Sequence, residues 1–169
     1  MNKKFTALDI ANWFLWYNQV EQIEKTIDED DLYEGLSHLK IQKLLYYADG
    51  ICLAINEDTL FDEKIYAWQH GPVVKEVYKE LSINGRDEIP FNVNCINIIE
   101  EINSYDDLKE ILLTTYDNYA GYTAWQLREK THVPGSPWQI TVDSTGLQTE
   151  IDRNLIKQYF KDNIVVIDD

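Results

Sequence analysis

The chain has 169 residues, 44% of them hydrophobic and 12% aromatic, which is enough apolar material for one ordinary globular domain with no disulfide staple. Its 15 Lys and Arg stand against 30 Asp and Glu, a formal charge of −15 that argues against nucleic acid as a partner, because phosphate contacts need clustered cations. No apolar run approaches the roughly 20 residues of a membrane span, the N-terminus lacks a secretory apolar region, and Cys52 and Cys95, set among apolar neighbours, are expected to be buried, reduced thiols, so a cytoplasmic protein is expected.

Taken in chain order, Thr6-Ala7-Leu8-Asp9 is a capping-box pattern, and Leu8, Ala11 and Leu15 then recur at helical spacing, which predicts a first helix through about Asn18. Seven acids between Glu21 and Glu34, against the single Lys25, predict a solvated connector over about 21–36. Ser37 is placed to cap a second helix reaching Asn56, in which Ile41, Leu44, Leu45, Ala48, Cys52 and Ile55 follow the helical repeat. Tyr47 and Ile51 widen the stripe, so the helix is apolar on most sides and belongs at the centre of the fold. Gly50 inside it costs about 1 kcal/mol relative to Ala, which signals close approach of another backbone.

Leu60 to Trp68 is partly alternating and aromatic and suits a short strand. Gly71-Pro72 is expected to open a third helix carrying Val73, Val74, Val77, Tyr78 and Leu81 and ended by Asn84-Gly85. Ile89 to Ile99 reads as another short strand. Ser104-Tyr105-Asp106-Asp107 and Thr123-Ala124-Trp125-Gln126 are capping-box patterns heading two more helices. Pro134-Gly135 stops the second of these and begins a rigid turn that lays Trp138 on the core, and a last helix covers about Glu150 to Asp162. The expected fold is mainly α, an α+β arrangement with minor short strands. It is a compact single-domain, bundle-like fold of six helices around a central buried helix at 37–56.

The chain carries no phosphate-cradling loop, nucleophile elbow, zinc-spaced cysteine pair or His-Glu-x-x-His, so no cofactor, metal or catalytic residue is expected. Each of the three histidines has a plain role. His38 is expected to face solvent in neutral form, since a helix start disfavours imidazolium. His70 precedes the free amides of the Gly71-Pro72 helix start, where it orders the turn or meets a carboxylate. His132 ends a helix. Nothing in the spacing forces His70, His132 and an acid such as Asp49 or Asp62 into one metal or hydrolytic centre.

Three stretches in order resemble one bacterial and phage family. The first is Leu39-Lys40-Ile41-Gln42-Lys43-Leu44-Leu45-Tyr46-Tyr47-Ala48-Asp49-Gly50. The second runs from Leu60-Phe61-Asp62-Glu63 through Ala67-Trp68-Gln69-His70-Gly71-Pro72-Val73-Val74 to Val77-Tyr78. The third is Leu127 to Thr131-His132 with Pro137-Trp138, and Asp9 to Leu15 is similar to the family's opening helix. The chain is thereby identified as a member of the Panacea-domain (SocA-like antitoxin) family over roughly Thr6 to Phe160. Lys75 departs from the family's usual Pro, and Ile41 from its commoner Leu.

The resemblance implies a non-enzymatic antitoxin of a toxin–antitoxin system that neutralises a cognate toxin protein by direct contact. Two rival outputs are delivery of the toxin to a AAA+ protease and a hydrolase built on His70 and His132. No nucleic acid or membrane partner is expected, and the partner and the oligomeric state have no label in the sequence. The expected partner-binding surface has Lys40 and Lys43 on a shared exposed edge of the second helix, with Gln42, Tyr46 and Tyr47 beside them. Trp68, His70, Gly71, Pro72, His132 and Trp138 form its adjoining wall.

Overall fold

The computed structural model describes residues 4–25 and 35–166. In chain order these form α1 (Ala7–Lys25), α2 (His38–Asn56), the strands β1 (Ile65–Trp68) and β2 (Gly71–Val74), α3 (Lys75–Leu81), α4 (Ile96–Asn103), α5 (Asp106–Tyr119), α6 (Ala124–Thr131), α7 (Pro137–Thr145), β3 (Thr149–Glu150) and α8 (Arg153–Asn163). The architecture is mainly α with minor strands, and the described residues hold eight α-helices rather than the expected six.

Helix α2 is the axis. Of residues 38–54 only Leu39 escapes burial, because α1, α5, α6, α8 and β2 all pack on it. Gly50 does mark a close approach, but the neighbour is the ring of Phe160 on α8 and not a second backbone. On the same side Tyr47 stacks on Tyr119 at 3.8 Å between centroids, and Tyr46 meets Phe160 edge-on at 5.4 Å. Asp49 fastens α2 to its surroundings. It accepts from Leu60 N–H at 2.8 Å and lies 2.8 Å from Arg153 Nε, close enough for an ion pair but off hydrogen-bond alignment.

Two of the three capping boxes form. Thr6 and Asp9 exchange bonds of 3.1 and 2.9 Å, and Thr123 and Gln126 do the same at 2.9 and 3.2 Å. The third does not. Ser104 donates back to Glu101 O, closing α4, and Tyr105 takes the cap position of α5. Ser37 occupies the α2 cap position without a side-chain bond.

Four stretches differ from expectation. Helix α1 continues to Lys25, so Glu21 and Glu24 are helical; the acids from Asp28 to Glu34 lie outside the described residues. Gly71 to Val74 is a strand and not a helix start. Gln69-His70 makes a two-residue turn, Gly71 takes a φ of +103°, and β2 pairs antiparallel with β1 in the order β2-β1-β3. The β-branched pair Val73-Val74 suits this better than a helix, and Pro72 is tolerated because β2 is an edge strand. Ile89 to Ile99 forms a loop, a 3-10 turn capped by Asn92, and the start of α4; Ile96, Ile99 and Ile102 follow the helical repeat that puts the last two in the core. Pro137-Trp138 begins α7, where Ser136 accepts from Gln139 N–H and Pro137 fills the first turn.

Candidate functional site

The end of the β1–β2 hairpin is gripped by side chains from three helices. Trp138 Nε1 at the start of α7 donates to Trp68 O at 2.8 Å. His132, closing α6, sets Nε2 at 3.3 Å from Gln69 O. From α2, Lys43 Nζ donates to Pro72 O at 3.1 Å. Gln42 then takes both backbone groups of Val74, accepting its N–H at 2.7 Å and donating to its carbonyl at 3.2 Å. Gln42 thus acts as a substitute strand neighbour, satisfying the ladder groups that an edge strand otherwise exposes.

These residues hold each other as well as the hairpin. A Cβ on Gly71 would stand 2.9 Å from both Lys43 Nζ and Thr131 Oγ1, so only glycine admits the amine here. The His132 ring lies 3.6 Å from that of Trp138 between centroids, and its Nδ1 is 2.7 Å from Arg128 O. Ser136 Oγ donates to Thr131 O at 2.8 Å while capping α7. Burial, reinforced by the Arg128 guanidinium, pulls the Lys43 amine down to about 7. Burial also lowers His132, against the two carbonyls that favour its protonated form.

Lys40, Gln42 and Lys43 are each 1% exposed, Tyr46 2% and Tyr47 4%, so the expected exposed edge lies inside the molecule. For Gln42 and Lys43 the reason is that β2 packs where solvent was expected, and the Lys43 stem runs through the interior to a polar end at Pro72 O. Gln42, Lys43, Trp68, Gly71, Pro72, His132 and Trp138 converge on the hairpin. Tyr46 and Tyr47 pack on α5 and α8 instead. His70 stands exposed at the hairpin tip, flanked by no helix start. His38 is buried, 8% exposed, edge-on to Tyr78 at 5.4 Å, and burial lowers it, in place of the expected solvent-facing role.

Thr131, Arg128 and Ser136 were not among the expected residues; the Ser136-Pro137 pair, a cap followed by a first-turn proline, was the signal for the last of them. Asp49 turns to Leu60 N–H and Arg153 and not to the histidines. Among the described residues no group of three or more His, Cys, Asp or Glu is placed to hold a metal ion. No helix among them is long and apolar enough to cross a membrane.

No solved structure matches the chain. Antitoxin SocA of Caulobacter vibrioides (strain NA1000 / CB15N) is 26% identical over 137 residues, covering 75% of this chain and 71% of that protein. A family model described as antitoxin SocA-like, Panacea domain, matches residues 41–139. That span contains the whole hairpin grip, from Gln42 to Trp138, and the chain belongs to the antitoxin SocA-like, Panacea domain family.

Proposed function

We propose that this chain is an antitoxin that silences a cognate toxin protein by binding it directly, with the hairpin side of the molecule as the contact face. The observation that carries this is the use to which the signature side chains are put. Gln42, Lys43, His132 and Trp138 are consumed inside the molecule in fixing one backbone hairpin, and what the grip leaves outside is the tip, Gln69 and His70. A braced tip loses little conformational freedom when a partner docks on it, which favours recognition.

Such a protein acts in stoichiometric proportion. The test is co-expression with the growth-arresting product of a neighbouring reading frame, followed by native mass spectrometry of the purified material. The expected result is restored growth together with a stable complex of defined stoichiometry. Restored growth at a small molar fraction of antitoxin, with no complex isolated, contradicts direct binding and favours an enzymatic output.

A further inference from the structure

An open groove of about 530 Å³ runs beside the hairpin, walled by the first turn of α2, by β1 and β2, by α3, and by the loops around Arg86 and Leu147. Its floor is aromatic, with Trp68 and Tyr78 packed at 4.9 Å. Its polar inventory is unusual for this chain. Among the described residues no Asp or Glu lines it, whereas His38, His70 and Arg86 do, on a molecule whose net charge is −15. The nearby Glu88 points away from the groove: it turns toward Gly35 and accepts from Gln22 at 2.6 Å.

Two buried polar atoms on the groove wall have no hydrogen-bond partner among the described residues: His38 Nδ1, on a side chain 8% exposed, and Trp68 Nε1. Buried polar groups in folded proteins are nearly always paired. Indole N–H is a donor only, so it calls for an acceptor oxygen. An apolar floor, an orphaned donor and an acid-free rim carrying Arg86 together select a group that is apolar and anionic at once.

We propose that this groove is the anchor site for an extended segment of the partner toxin in which an apolar or aromatic side chain is flanked by Asp or Glu. The apolar side chain lies on Trp68 and Tyr78, and a carboxylate meets Arg86 at the rim. This rests on the proposed toxin-binding function and adds the chemistry of the segment recognised. The acidic remainder of the surface draws in a partner that is basic overall, and the groove then fixes the register on its acidic anchor.

The test is NMR titration of the isotope-labelled full chain with two blocked peptides, acetyl-Glu-Leu-Phe-Glu-amide and its counterpart with Lys in place of both Glu. Weak binding suffices, with a dissociation constant on the order of 1 mM. The expected result is selective movement of the Trp68 indole N–H resonance, assigned by its loss in Trp68→Phe, with the acidic peptide alone. Arg86→Glu, an exposed substitution, is expected to weaken that binding at least about tenfold while leaving the spectrum of the fold intact. Equal binding of the two peptides, shifts scattered away from the groove, or no shift at all overturns the proposal. The direct-binding reading is judged separately, by whether wild type and toxin co-purify. A complex with an indifferent groove refutes the anchor alone, and a selective groove without a complex refutes the toxin reading.

Discussion

At the scale of single residues, the account turns on polar groups spent in the interior. Gln42→Leu keeps roughly the volume of the side chain but leaves Val74 N–H and C=O without their partner. Each orphaned group costs about 1–3 kcal/mol, so a loss of about 2–6 kcal/mol is expected in urea denaturation. A change below about 0.5 kcal/mol would mean that Gln42 does not carry the β2 edge.

Lys43 gives the stability a pH dependence whose sign follows from its pKa. The amine titrates at about 7 in the folded protein against 10.5 in the unfolded chain. Between those values the unfolded chain holds a proton that the folded chain has released. The Lys43 contribution to stability therefore rises with pH across this window, by at most about 1.4 kcal/mol per pH unit. At still higher pH, Tyr17 and Tyr119, raised to about 12 by burial, keep protons that the unfolded chain loses at 10.0, and stability falls again. The buried Cys52 thiol, raised from 9.0 to about 11, opposes this slope from about pH 9 upward, so denaturation midpoints measured between about pH 7 and 8.5 are expected to climb in wild type and to run flat in Lys43→Met. Nothing in the sequence around Lys43 distinguishes an interior lysine from a solvated one, since its amine is held by β2, 29 residues further on at Pro72.

At the scale of elements, helices with a clear apolar repeat were legible and the hairpin was not. Helix α2, both working capping boxes and α8 follow from spacing and cap chemistry. Gly71-Pro72 carries the local signature of a helix start, whereas the antiparallel pairing with β1 and the long-range bonds from Gln42 and Lys43 to Val74 and Pro72 hold this stretch as a strand. The site was legible to the same degree. The residues that converge on the hairpin were named from motif resemblance, but whether they face inward or outward depends on pairing that no local pattern encodes.

Gly50 supplies the test at this scale. Alanine gains about 1 kcal/mol of helix propensity at an interior position, but its methyl would run into the Phe160 ring, and overpacking a filled core costs about 1–3 kcal/mol. Packing wins, so Gly50→Ala is expected to lower stability. Gly50→Ala combined with Phe160→Leu is expected to recover part of the loss. A stabilised single variant would show that α8 does not press on α2 at this point.

For the molecule as a whole, two layers of charge act at different ranges. In the proposed complex a charge of −15 on 169 residues guides encounter with a partner that is basic overall, and this guidance weakens with ionic strength because screening sets in over about 10 Å at 0.1 M salt. The association rate with the toxin is expected to fall with added salt while the dissociation rate changes little, a split that stopped-flow mixing resolves. The grip and the groove have separate duties in this proposal: Gln42, Lys43, His132 and Trp138 hold the hairpin in place, and Arg86, Trp68 and His70, which line the groove, are the proposed contact residues.

That division is tested most directly by scoring toxin neutralisation against folded fraction for one variant of each kind. Lys43→Met, altered only in the interior, is expected to rescue growth in proportion to the protein that remains folded. Arg86→Glu, altered only at the rim of the groove, is expected to stay fully folded by circular dichroism and to lose rescue. Full rescue by Arg86→Glu, with failure of folded Lys43→Met, would contradict the account.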